Sequence, residues 1–173
     1  MSIVSLLRTH VAAADREEAD RCAMLRLAAE LERPTSRDQA RAHFTGSAFV
    51  VDERCERMCL VWHAKLERLL QPGGHVEPAD VSLEAAALRE ALEETRLELD
   101  FHPKAPRPFD LDIHVIGERP GEPAHYHLDV RYLLVGSGDP CAGAGWYPLD
   151  HPVEESVARL VRKALTYRAP APA

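Results

Sequence analysis

The spacing of apolar residues changes several times along the chain, and each change predicts an element. Ile3, Leu6, Leu7, His10 and Val11 recur at helical spacing. Cys22, Leu25, Ala28 and Leu31 repeat the pattern until Pro34, which cannot continue a helix. Ser36 is placed to cap a further short helix through SRDQARAH. At Ser47 the character changes: SAFVVD and MCLVWHAKL are apolar, β-branched runs joined by the charged ERCER, which predicts an antiparallel hairpin. After LQPGGHVEPAD, the stretch SLEAAALREALEETRLEL predicts a strong helix whose first amides Ser82 or Asp80 can cap. The linker FHPKAPRPFD is broken by prolines. FDLDIHVI and AHYHLDVRYLLV then alternate about the turn-rich GERPGEP as a second hairpin, and GWYPL reads as a short strand. In PVEESVARLVRKAL, Val153, Val157, Leu160, Val161 and Ala164 form one stripe with Pro152 near the first turn, an amphipathic helix, and the tail APAPA is expected to fray. Hairpins mixed with helices give an α/β (α+β) class with a mixed, largely antiparallel sheet packed by helices, rather than a regular βα alternation.

Composition narrows the classes. A chain of 173 residues, 46% hydrophobic and 28% charged, suits one folded domain and neither disorder nor a fibre. A net charge of -7 without a Lys/Arg-rich run argues against a nucleic-acid partner, whereas a small phosphorylated substrate needs only a local cation. The first residues lack a basic leader, and no stretch approaches the roughly 20 apolar residues of a membrane span, so neither a signal peptide nor a membrane partner is expected and the location reads as cytoplasmic. Cys22, Cys55, Cys59 and Cys141 are irregularly spaced; Cys55 and Cys59 resemble half a zinc site that nothing completes, and read as thiols at a turn and in a strand.

Chemistry concentrates in the central helix. At about 100° per residue, Glu90, Glu93 and Glu94 project from one narrow face, with Ala85, Leu88 and Leu92 opposite, where they can pack on the sheet. Three neighbouring carboxylates repel, and the C-terminal end of a helix disfavours anions further. Arg89 can reach Glu93 one turn on, but a hard divalent cation compensates better. The helix alone fits a solvated acidic face as well as a metal site. The preceding Pro72-Gly73-Gly74 changes that balance: a loop of glycines lets backbone approach a ligand closely, and one of its carbonyls could complete an all-oxygen shell.

Together these segments resemble the Nudix hydrolase signature: a Gly, five residues, Glu, seven residues, then Arg-Glu-apolar-x-Glu-Glu-x-Gly-apolar. Gly74 begins the match, and Arg89, Glu90, Ala91, Glu93, Glu94 and Leu97 continue it. Asp80 replaces the first Glu, one residue is inserted within Val81-Ser82-Leu83, and Arg96 replaces the closing Gly. The insertion precedes the helix, where a loop can absorb it without rephasing the glutamates. The resemblance implies an αβα sandwich and a divalent-metal-dependent pyrophosphohydrolase, in which Glu90, Glu93, Glu94 and a main-chain carbonyl near Gly73 or Gly74 hold Mg²⁺ or Mn²⁺. It further implies that water attacks phosphorus in a nucleoside diphosphate derivative or nucleoside triphosphate. Arg89 would orient a glutamate; Glu90 is the first choice of general base, with Glu77, Glu98 and Glu118 as alternatives. The rival reading is a ligand-binding or regulatory module on the same fold. The expected organisation is an N-terminal helical extension over residues 1–42, the Nudix domain over 43–168 and a disordered tail over 169–173; the extension leaves room for a homodimer.

Other residues carry open alternatives. Asp110, Asp112 and His114 share one strand face, and His125, His127, Asp129 and Arg131 another, which coincide if the hairpin pairs. That surface reads as an ordinary solvent face, a substrate wall or a transition-metal site; His127 and Asp129 are the preferred substrate contacts. His75 and Glu77 follow the glycines and are placed to face the same cavity. His63 and Lys65 are expected to meet solvent, and Trp62 and Trp146 to fill core.

Overall fold

The computed structural model describes residues 1–39, 41–119, 121 and 123–168, and the expected fraying of APAPA lies outside them. In chain order the elements are α1 (Ile3–Thr9), α2 (Asp15–Glu30), β1 (Ala42–Asp52), β2 (Arg57–His63), β3 (Arg68–Leu70), β4 (Gly73–His75), α3 (Leu83–Thr95), β5 (Glu98–Phe101), β6 (Asp110–Ile116), β7 (His125–Ser137), β8 (Ala144–Pro148) and α4 (Glu155–Ala164). The strands form one sheet in the order β3-β2-β1-β7-β5, with β4 also on β1, β6 on β7 and β8 on β2. The long central pair β1 and β7 runs parallel, from Ala42 opposite Tyr126 to Asp52 opposite Gly136, and every other pairing is antiparallel. Both expected hairpins form. Two details differ from the pattern. SRDQARAH makes turns and then enters β1 at Ala42, with Ala40 outside the described residues, because Arg41 and the residues after it find strand partners in β7. The helix predicted through Leu99 ends at Thr95, and Glu98–Phe101 becomes β5 on β7.

Alternation along the central pair divides the two faces. Ala42, Phe44, Ala48 and Val50 of β1, with Leu128, Val130, Tyr132 and Leu134 of β7, are buried against α3 and the N-terminal helices. On the other face, Phe49, Val51 and Leu133 pack under Val157, Leu160 and Val161 of α4, whereas the preceding positions, His43, Thr45 and Ser47 with His127, Asp129 and Arg131, are polar. This change from polar to apolar along a single face leaves α4 covering one end of the sheet and a cavity opening at the other.

Helix α3 sits close on the sheet because Gly46 has no side chain: a Cβ there would lie 2.6 Å from the Leu83 carbonyl. The buried stripe of α3 is Leu83, Ala86, Ala87, Ala91 and Thr95. Leu92 is exposed and Ala85 only half-buried, which corrects the expected packing face. Only Leu88 of the anticipated trio packs into the core. Ser82 caps the helix by accepting from the Ala85 amide, so the inserted residue falls in the loop ahead of it, with Val81 exposed.

The helix closes at Arg96 in the left-handed region (φ 59°, ψ 18°), with its amide donating to the Leu92 carbonyl. A Cβ in that conformation crowds its own backbone, so Arg96→Gly is expected to stabilise the fold by up to about 1 kcal/mol. Thermal unfolding reads this out, and an unchanged or lower Tm would contradict it.

The N-terminal helices are fastened by charge as well as by Leu6, Leu7 and Met24. Glu17, 1% exposed, binds His10 Nε2 at 2.8 Å and accepts from Lys163 Nζ of α4 at 2.9 Å and from the Ala13 amide. Burial works to raise its pKa, but the hydrogen bonds from His10, Lys163 and Ala13 prevail and hold it near 2, against an ordinary 4.5. A depressed carboxylate stabilises the fold fully above its unfolded pKa and loses that contribution as the folded form protonates. Stability is therefore expected to fall between pH 4.5 and about 2, less so in Glu17→Gln. Urea midpoints across that window check this, and parallel pH curves for both proteins would refute it. Val11, expected on the buried face, lies after α1 and is exposed.

Candidate functional site

A cavity of about 590 Å³ opens between the start of the β1–β7 pair, the β2–β3 hairpin, β4 and α3. Glu90 and Glu94 of α3 line it with Gly73 and Gly74, and Thr45, Ser47 and Asp129 rise from the sheet. β4 is short, yet it places the glycines firmly: Gly73 pairs with Ser47 and Gly74 with Gly46. A Cβ on Gly73 would meet the Ser47 backbone at 2.6 Å, so a glycine is required there, and one on Gly74 would stand 2.6 Å from Glu90 Oε1 and displace that carboxylate from its present seat. The Gly73 amide donates to Glu94 Oε2 at 3.0 Å.

Arg89 organises the loop from beneath. Its guanidinium donates to Asp80 (Nε and Nη2 bonds of 2.9 to 3.3 Å) and to the His75 carbonyl at 2.9 Å. It also reaches Glu90 at 3.1 Å and Glu93 at 3.2 Å. Asp80 accepts the Glu77 amide at 2.8 Å, and its carboxyl is held below the ordinary range, chiefly by Arg89. The shorter Asp80 with one extra residue before α3 thus still grips Arg89. Burial pushes the Glu90 and Glu94 carboxyls above the usual range, and neighbouring glutamates add to the push, more than Arg89 (for Glu90) or the Gly73 amide (for Glu94) offsets. Half-buried carboxylates that repel, beside a glycine loop with its carbonyl oxygens, suit a hard divalent ion.

The remaining candidates are distributed unevenly. His75 and His127 line the cavity with Asp129. Glu77 is exposed outside the lining, where it approaches Arg89 at 3.8 Å. Glu93 is exposed and turned toward Arg89. Glu98 and Glu118 are exposed and outside the cavity lining, although Arg119 next to Glu118 belongs to it. His63 and Lys65 lie on its rim, and Trp62, expected in core, is 52% exposed there, because β2 ends beyond the reach of α4. Trp146 is half-buried, donating to the Gly138 carbonyl at 3.0 Å. Cys55 lies in the β1–β2 turn and Cys59 in β2, packed in different clusters.

The face carrying Asp110, Asp112, Asp129 and Arg131 is buried, which corrects the reading of an ordinary solvent surface. The strands do pair as expected, Asp112 opposite Asp129 and His114 opposite His127, but α4 and α2 cover them. Arg131 binds Asp129 and Asp112 at 2.8 Å each and lies 3.5 Å from Asp110. Arg159 bridges Asp110 and Asp112, and Lys163 joins Asp110 to Glu17. Thr45 and Ser47 donate to Asp129 at 3.0 and 2.6 Å, so the network ends in the cavity wall. Sequence reasoning missed Arg159, Lys163, Thr45 and Ser47; three acids alternating on adjacent strands with one arginine were the available signal.

The NUDIX domain model matches residues 42–162. The comparison with curated proteins found no match. Among solved structures, the chain is similar to a NUDIX-family hydrolase from Clostridium perfringens at 23% identity and TM-score 0.57, covering 72% of this chain and 97% of that one. It is similar to the C. elegans Ap4A hydrolase at 15% identity and TM-score 0.50, covering 73% and 98%. A UDP-X diphosphatase matches at 17% identity and TM-score 0.52, over 96% of this chain and 92% of its own, so the similarity of fold reaches across the N-terminal helices. The domain match over most of the chain, on a fold that brings the glycine loop against the α3 glutamates, shows that this protein belongs to the NUDIX family.

Proposed function

We propose that the protein is a divalent-metal-dependent hydrolase that cleaves a phosphate anhydride bond in a nucleoside diphosphate derivative or nucleoside triphosphate. The observation that carries this reading is the seating of Glu90 and Glu94, half-buried in a cavity wall against Gly73 and Gly74, with their proton affinity raised. Glu90, Glu94 and Glu93, with a carbonyl of Gly73 or Gly74, would hold Mg²⁺ or Mn²⁺. Such an ion, when bound, neutralises phosphoryl charge and acidifies water. Of the candidate bases, Glu90 lines the cavity while Glu77, Glu98 and Glu118 do not, so Glu90 takes the proton from the attacking water. Arg89 is a positioning residue, holding Glu90 through one arm and the loop through the Asp80 and His75 bonds.

The cavity also suits a substrate with both a phosphate and an aromatic part. Lys65, Arg37 and Arg119 line it as cations, and Trp62 offers an exposed ring beside Leu66 and Leu70. The solved structures similar in fold include proteins described as an Ap4A hydrolase and a UDP-X diphosphatase, which favours nucleotide derivatives. A panel of nucleoside triphosphates, dinucleoside polyphosphates and nucleotide sugars with Mg²⁺ tests the reading. Release of phosphate-bearing products supports it, and tight binding of a panel compound without turnover would replace it with the binding-module reading.

A further inference from the structure

Behind the carboxylate site, the polar end of the sheet gathers imidazoles. His43 of β1 pairs with His127 of the parallel β7, and His114 of β6 faces His127 from the other side. The His43 ring stands 4.8 Å from that of His127 and 5.0 Å from those of His125 and His75. One nitrogen from each of His43, His125 and His127 falls within 4.8 Å of the others. His43 is fully buried, with the Gln39 backbone as a hydrogen-bonding neighbour of its ring, while His127 Nε2 is buried with no hydrogen-bond partner among the described residues. A buried polar atom without a partner costs free energy and calls for a ligand.

We propose that His43, His125 and His127 form a second metal site, for a borderline transition ion such as Zn²⁺, chemically distinct from the carboxylate site. Three features support it. Two of the rings favour the neutral form: burial, reinforced by repulsion from neighbouring imidazoles, lowers His43 to about 4 and His127 to about 2, and a neutral ring is the form that coordinates metal. That neutrality argues against His43 and His127 acting as a phosphate clamp, which would need positive charge. The His125 Nδ1 lies 2.9 Å from the Pro123 carbonyl, which can only accept, so Nδ1 carries a proton and Nε2 is the candidate ligand atom. This is the second contact that orients ligating histidines generally. Finally, imidazole nitrogen favours Zn²⁺ or Co²⁺ and holds Mg²⁺ poorly, whereas the oxygen donors around Glu90 and Glu94 also accept Mg²⁺. Nitrogens around one ion at about 2.0–2.1 Å stand closer than they do here, so binding draws the three rings inward by small side-chain rotations.

The test uses the full chain without an affinity tag, stripped with chelator and titrated with Co²⁺. One equivalent is expected to develop the visible absorption of cobalt in a low-coordinate nitrogen site, and Zn²⁺ is expected to displace it. The spectrum should persist in the Glu93→Gln, Glu94→Gln double variant. Co²⁺ affinity should weaken at least about tenfold in His43→Gln and in His125→Gln, each checked for folding by circular dichroism. In the glutamate double variant, Zn²⁺ should raise Tm while Mg²⁺ at the same concentration should not. The proposal is overturned if the wild type gives no such spectrum, if the glutamate variant abolishes it, if both folded histidine variants retain it, or if Zn²⁺ leaves Tm unchanged.

Discussion

Replacing Glu93 and Glu94 together by glutamine is expected to lower turnover on any substrate of the wild-type protein by at least about a hundredfold, since on the proposed reading the ion they would hold supplies several kcal/mol of transition-state stabilisation and each 1.4 kcal/mol is a factor of ten. The fold should survive. Glu93 is exposed, and a glutamine at position 94 still offers an oxygen to the Gly73 amide. Mn²⁺ affinity by calorimetry should fall in parallel, which separates loss of metal from loss of a base. Undiminished product formation in the double variant would remove the metal assignment while leaving the family membership intact.

Arg131→Met is expected to destabilise the protein by about 3–5 kcal/mol, the usual cost of removing one partner from a buried ionic cluster. Arg131 is 1% exposed and touches three carboxylates that are themselves buried. Arg159 and Lys163 continue to serve Asp110 and Asp112, but among the described residues Asp129 keeps just the Thr45 and Ser47 hydroxyls as side-chain donors. Arg131→Lys should recover only part of the loss, because an ammonium point charge cannot span Asp129 and Asp112 as the guanidinium does. Urea denaturation with an unchanged slope and a lowered midpoint would confirm the expectation, and an unshifted midpoint in Arg131→Met would refute it.

The contrast between the two variants follows how much of each site is local. Glu90 and Glu94 were legible as neighbours on one cavity wall because helical spacing sets their direction and the Gly73-Gly74 loop is close in sequence, whereas Glu93 turns to Arg89. The burial of the face with Asp129 and Arg131 was not, because strand alternation looks the same whether the polar side meets water or another element, and only the packing of α4 and α2 decides. For the same reason SRDQARAH, locally suited to a helix, yields to the pairing of β1 with β7. Leu92 was assigned to the packing face by periodicity, but the close approach at Gly46 selects alanines there instead. His43 carried no signal of its own: it becomes notable only opposite His127.

The parallel β1–β7 pair also bears on the order in which this protein comes into being. Thr45 and Asp129, which meet in the cavity wall, are 84 positions apart, and Glu17 and Lys163 are 146 apart. Chain must be closed over those distances before either contact forms, and closure of long loops is slow compared with helix or hairpin formation. A growing chain can therefore carry the α3 glutamates and the glycine loop in finished form while the wall opposite them does not yet exist. The two halves of the cavity meet only when the strand that bears His127 and Asp129 lies beside the strand that opened the sheet.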